Sequence, residues 1–135
     1  MTSNKSIALG VVFGLGWAFL PAAWAAPRSD ACAALADARS ALYSMINAKD
    51  KSAQDALNAK VQAASTKLDS VLASMIGTDA KMAADFKTLW DQFKATRDNE
   101  IIPAIYKGNV AEAKKVADGV QYERLSKMWS IMTCR

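Results

Sequence analysis

The chain has 135 residues, 52% of them hydrophobic, with 17 Lys and Arg against 13 Asp and Glu and a formal net charge of +4. That length suits one domain with one core, and the charges are mixed along the chain, without the basic block that nucleic-acid binding would call for. There is no histidine, which excludes His-ligated haem, most zinc sites and imidazole acid–base catalysis.

Residues 1–25 read as a signal peptide. Lys5 supplies the positive start, residues 7–20 form an apolar run of 14, and Ala23, Trp24 and Ala25 fit the small-x-small cleavage rule. Cleavage there leaves 110 residues from Ala26, with 16 Lys and Arg against 13 Asp and Glu and a net charge of +3. The expected location is periplasmic or secreted. The rival reading retains residues 7–26 as an N-terminal membrane anchor, since 20 largely apolar residues just span a bilayer.

Residues 26–135 predict an all-α, up-down-up-down antiparallel four-helix bundle. Helix one is expected from an N-cap at Ser29 to about Ala48, with Cys32, Leu35, Ala36, Arg39, Leu42, Tyr43 and Ile46 on one face. A polar break at Lys49, Asp50 and Lys51 follows. Ser52 with Asp55 three residues on resembles a capping box and opens helix two, whose stripe of Leu57, Val61, Ala64, Leu68, Val71, Leu72 and Met75 stops at Gly77. Helix three, residues 79–107, carries Met82, Phe86, Leu89, Trp90 and Phe93 at helical spacing, and Arg97 on the same face. Pro103 is expected to kink it or to start a separate last turn. Gly108 and Asn109 mark the next junction, with Glu112 completing a capping box. Helix four, from Val110 to about Cys134, places Ala113, Ala117, Val120, Met128 and Ile131 inward, and Gly119 is its weak point.

The two cysteines, Cys32 and Cys134, sit near the start of helix one and the end of helix four. In this topology both points lie at one end of the bundle, and an exported chain meets an oxidising compartment, so a Cys32–Cys134 disulfide is expected.

Within residues 89–113, the spaced aromatics Trp90 and Phe93, the charged run from Lys94 to Glu100, the turn at Gly108 and Asn109, and the following Ala111, Glu112 and Ala113 resemble the third-to-fourth helix junction in the four-helix-bundle sensor domains of methyl-accepting chemotaxis receptors. Pro103 departs from that pattern. The resemblance implies an exported bundle that senses or binds something. It also favours the anchored alternative for the N-terminus and points to a membrane receptor, or self-association, as the route for a signal.

No Gly-rich phosphate loop, G-x-S-x-G, EF-hand spacing or C-x-x-C-H occurs in the chain, so neither an enzyme nor a cofactor is expected. One constellation stands out. Arg39, Arg97 and Arg124 fall on otherwise apolar stripes, where a charge needs a partner or access to water. Counting rise from the disulfide end puts Arg39 at about 10 Å and Arg124 at about 15 Å, with Tyr43 and Trp90 at about 16 Å. Arg39, Tyr43, Trp90 and Arg124 are therefore candidate ligand-binding residues for a small carboxylate, held by bidentate hydrogen bonds beside aromatic walls. In the bland alternative the arginines snorkel, with Glu100 serving Arg97, and Trp90, Phe86, Phe93 and Trp129 are core. The other functional reading is a structural or chaperone-like bundle that binds proteins, using Met45, Met75, Met82, Met128 and Met132 as an adaptable surface.

Overall fold

A computed structural model describes residues 25–135, and the proposed signal peptide lies almost wholly outside them. Every regular element among the described residues is helical, and they form a four-helix bundle. Helix one is Ala25–Asn47 and helix two Lys51–Met75. Helix three runs as Ala80–Thr96, a widened π-type turn Arg97–Ile101, and Ile102–Tyr106. Helix four repeats the device as Val110–Val116, a widened turn Ala117–Gln121, and Tyr122–Met132. Helix one packs on two, two on three, three on four, and four on one. Among the described residues no helix is long and apolar enough to cross a membrane.

The junctions follow from local chemistry, with two corrections. Helix one is already helical at Ala25, not from Ser29, and Pro27 fits that first turn. Helix two is capped by Asp50 rather than Ser52: the Asp50 carboxylate accepts from the Ala53 N–H at 2.8 Å, and Asp55 instead pairs with Lys51. Gly108 has φ +76°, and the Gly108 and Asn109 N–H groups donate to Ile105 and Ala104, closing helix three as a left-handed glycine cap does. Asn109 then accepts from the Glu112 N–H at 3.3 Å, as expected of its cap. Helix four ends likewise, with Thr133 at φ 54° and the Cys134 N–H on the Trp129 carbonyl. That turn brings Cys134 to Cys32, and the disulfide joins the first helix to the last with a Cα–Cα distance of 5.7 Å.

The core is built from Leu35, Leu42, Leu68, Leu72, Phe86, Trp90, Phe93, Ile101, Ile105 and Leu125, with Met45, Met75, Met128 and Met132 fully inside. These four methionines fill the interior, and of the five expected as an adaptable surface only Met82 is partly exposed. Trp90 stacks on Phe93 at 5.4 Å between ring centroids.

The widened turns reset the helix phase. Each admits one extra residue to a turn. Beyond Ala117 the inward stripe of helix four therefore reads Gln121, Leu125, Met128, Met132, and Val120, expected inside, is 42% exposed. Gly119, at φ −93° and ψ −110°, is the break. In helix three the wide turn lies just ahead of Pro103, whose ring would clash with the carbonyl four residues back in a regular helix, so the helix continues to Tyr106 without ending at the proline.

Both turns are stitched by buried polar groups. Arg97 is 1% exposed, so it does not snorkel, and Glu100 is not its partner. Its Nε and Nη2 donate to the Asp98 carboxylate at 2.7 and 3.1 Å, and Nη1 donates to Ser65 Oγ at 2.6 Å. Ser65 in turn donates to the Val61 carbonyl. Gln121, also 1% exposed, donates through Nε2 to the Phe93 carbonyl at 2.8 Å and accepts from Arg124 at 2.9 Å. Replacing Gln121 with Leu removes both bonds, but the Phe93 carbonyl keeps the Arg97 N–H. The expected cost is therefore about 1 kcal/mol, read as a lower urea midpoint at unchanged m-value.

Candidate functional site: the groove between helices one and four

The four residues singled out in the sequence do not share one cavity. Arg39 and Tyr43 come together on helix one, where the Arg39 guanidinium carbon lies 5.3 Å from the centroid of the Tyr43 ring. Arg124 is turned toward helix three. Its Nη1 donates to Thr96 Oγ1 at 2.7 Å, to Gln121 Oε1 and to the Gln92 carbonyl. Trp90 is fully buried and faces helix two, donating from Nε1 to Asp69 at 2.8 Å, a carboxylate that also takes Lys94 at 2.9 Å. The level count placed these residues at similar depths. It could not place them around the bundle, and they point to different seams.

What surrounds Arg39 is a groove. One hollow, of about 420 Å³, is lined by Ala36, Arg39, Ser40, Tyr43, Ser44, Asn47 and Trp129. A second, of about 450 Å³, is lined by Arg39, Tyr122, Leu125, Ser126, Trp129 and Ser130. Arg39 and Trp129 belong to both, so the two hollows adjoin at these side chains between the first and last helices.

Tyr43 is fixed from below. Its hydroxyl donates to Asp118 Oδ1 at 2.8 Å, across from helix four. Partial burial, and then this hydrogen bond, raise the Tyr43 pKa. The same bond, with Lys114 nearby, holds the Asp118 carboxyl below its ordinary value. A lowered carboxyl keeps its charge down to more acid pH, and a raised phenol keeps its proton to more alkaline pH, so the link survives throughout the neutral range. Arg39 thus rests on a ring whose position is set by a second helix.

Its charge is felt by Tyr43 and Asp118, acting to lower the pKa of each, but closes no contact ion pair. Arg28 is paired with Asp79 at 2.9 Å and Arg97 with Asp98 at 2.7 Å, whereas Arg39 forms no ion pair among the described residues. An exposed, aromatic-backed guanidinium can take a carboxylate or phosphate oxygen pair side-on. No cluster of His, Cys, Asp and Glu able to hold a metal ion occurs among the described residues.

Trp129 and Tyr122 were not legible as groove residues, nor Asp118 as the partner of Tyr43. Trp129 reads as core by spacing, and Tyr122 follows the extra residue of the turn Ala117–Gln121.

Comparison with protein-family models, curated proteins and solved structures finds no match to this chain.

Proposed function

We propose that the protein is an exported binding or sensor module, an up-down-up-down antiparallel bundle that takes a small anionic ligand in the groove between helices one and four. The antiparallel arrangement is supported by the short turns, the order of helix neighbours and the disulfide between the first and last helices. Export is supported by that disulfide, which an oxidising compartment would maintain. The observation that carries the ligand is Arg39: in no contact ion pair among the described residues, stacked on a ring held by Asp118, and open to two adjoining hollows.

A thermal-shift screen of small carboxylates and amino acids tests this reading. A binding acid at a hundredfold excess over its dissociation constant stabilises the fold by about 2.7 kcal/mol. Arg39→Ala should abolish the shift, and Arg124→Ala should retain it on a lower baseline, because Arg124 holds the helix three–four seam. Loss of the response in Arg124→Ala but not in Arg39→Ala would move the site to that seam.

A protein-binding role has one favourable observation of its own. Between helices two and three runs a groove of about 480 Å³ with an apolar floor of Leu72, Ala73, Ile76, Ala80, Ala83 and Ala84 and with Asp69, Lys87 and Lys94 also lining it, and Ile76 is 63% exposed. Suppression of a client's aggregation, lost on Ile76→Lys, would support that role.

A further inference from the structure

We infer that the occupant of the groove between helices one and four is an acidic oligosaccharide, of at least two sugar rings and one carboxylate. This rests on the proposed anion site and gives it a ligand class.

The length of the groove is the first reason. The first hollow runs along helix one from Ala36 to Asn47, about 16 Å along the axis, and the second along helix four from Tyr122 to Ser130, about 12 Å. A lone carboxylate seated on Arg39 would leave hollows on both sides of it unfilled. A ligand of two rings, one in each hollow, with the carboxylate of one ring on Arg39, would fill both.

The second reason is the lining itself. It contains little aliphatic surface beyond Ala36 and Leu125, which argues against an acyl chain or a greasy peptide. Besides Tyr43, which carries Arg39, it offers Trp129 and the 54% exposed Tyr122, whose flat faces suit the C–H faces of a sugar ring.

The third reason is the state of its hydroxyls. Elsewhere Ser65, Ser70 and Ser74 on helix two donate back to carbonyls of their own helix, as serines in helices commonly do. In the groove Ser130 does so, to the Ser126 carbonyl, but the hydroxyls of Ser126, and of Ser40 and Ser44, which also border the hollow toward helix two, make no hydrogen bond to another protein group among the described residues. These hydroxyls flank the arginine along the two walls and can donate to or accept from ligand hydroxyls.

Calorimetric titration tests this with galacturonate and mannuronate dimers, the neutral dimers of the same linkage, the monomeric uronates, and acetate and succinate. The expected order is uronate dimer first, with the neutral dimer weaker by about tenfold or more, the loss of a charge-assisted contact. Arg39→Gln should erase that difference between acidic and neutral dimers. Tyr122→Ala, an exposed change that leaves the core intact, should weaken the dimer roughly fivefold and leave succinate unaffected. If succinate or a monomeric uronate binds as tightly as every dimer, and Tyr122→Ala changes nothing, the oligosaccharide is wrong and the small-anion site stands. If no acid of any size binds, both are wrong.

Discussion

Reduction of Cys32–Cys134, or its replacement by two serines, is expected to lower stability by about 4.7 kcal/mol. The bond closes a loop of 102 residues, nearly the whole domain. In the chain-entropy model a closure of that size restricts the unfolded ensemble by this amount. For a domain of this length the melting temperature should then fall by on the order of 20 °C. The effect is large because the bond joins the start of helix one to the last turn of helix four, whose Thr133 and Cys134 N–H bonds lie within helix four itself. Thermal unfolding with and without reductant, followed by circular dichroism, measures it. A fall of only a few degrees would mean that packing alone holds the ends together.

The second large effect concerns the charge in the core. Asp98→Ala should destabilise by about 3 kcal/mol, because it leaves the buried Arg97 guanidinium with Ser65 Oγ as its remaining side-chain partner. The value sits at the low end of such losses because the Asp98 side chain is 46% exposed and water can follow it in. Arg97→Met should behave oppositely, staying within about 1 kcal/mol of the parent, since an apolar side chain of similar length needs no counter-ion. The double variant should track Arg97→Met, recovering most of what Asp98→Ala lost. Denaturant midpoints of the four proteins close the cycle. Equal losses in both single variants would show that Arg97 contributes through its packing and not through its charge.

These two effects differ in how far the sequence announces them. The disulfide follows from four amphipathic stripes and the position of two cysteines, and helix count, turns and most core residues follow from the same periodicity. Gly108 and Asn109 are read correctly because their chemistry is local: a left-handed glycine and a side-chain cap. The buried network is another matter. A regular period keeps counting through Ala117 and puts Val120 inside, whereas the extra residue of the widened turn puts Gln121 there. Arg97 looks like a snorkelling residue because its neighbours Asp98 and Ser65, one beside it in sequence and the other on helix two, are not where an i to i+3 rule looks. The candidate site was half legible for the same reason. Arg39 and Tyr43 are four residues apart on one helix and stay together. Trp90 and Arg124 share their depth but not their seam, and Trp129 and Tyr122 take their places at the groove.

The anion site at Arg39 is tested most directly by a nuclear magnetic resonance titration of the labelled protein with uronate dimers and small carboxylates. The account predicts that the Trp129 indole N–H, the Arg39 side chain and the backbone amides of residues 36–47 and 122–130 shift together, while the buried Trp90 indole stays still. Shifts centred on Arg124, Thr96 and Gln121, or no shift with any acid at millimolar concentration, would contradict it.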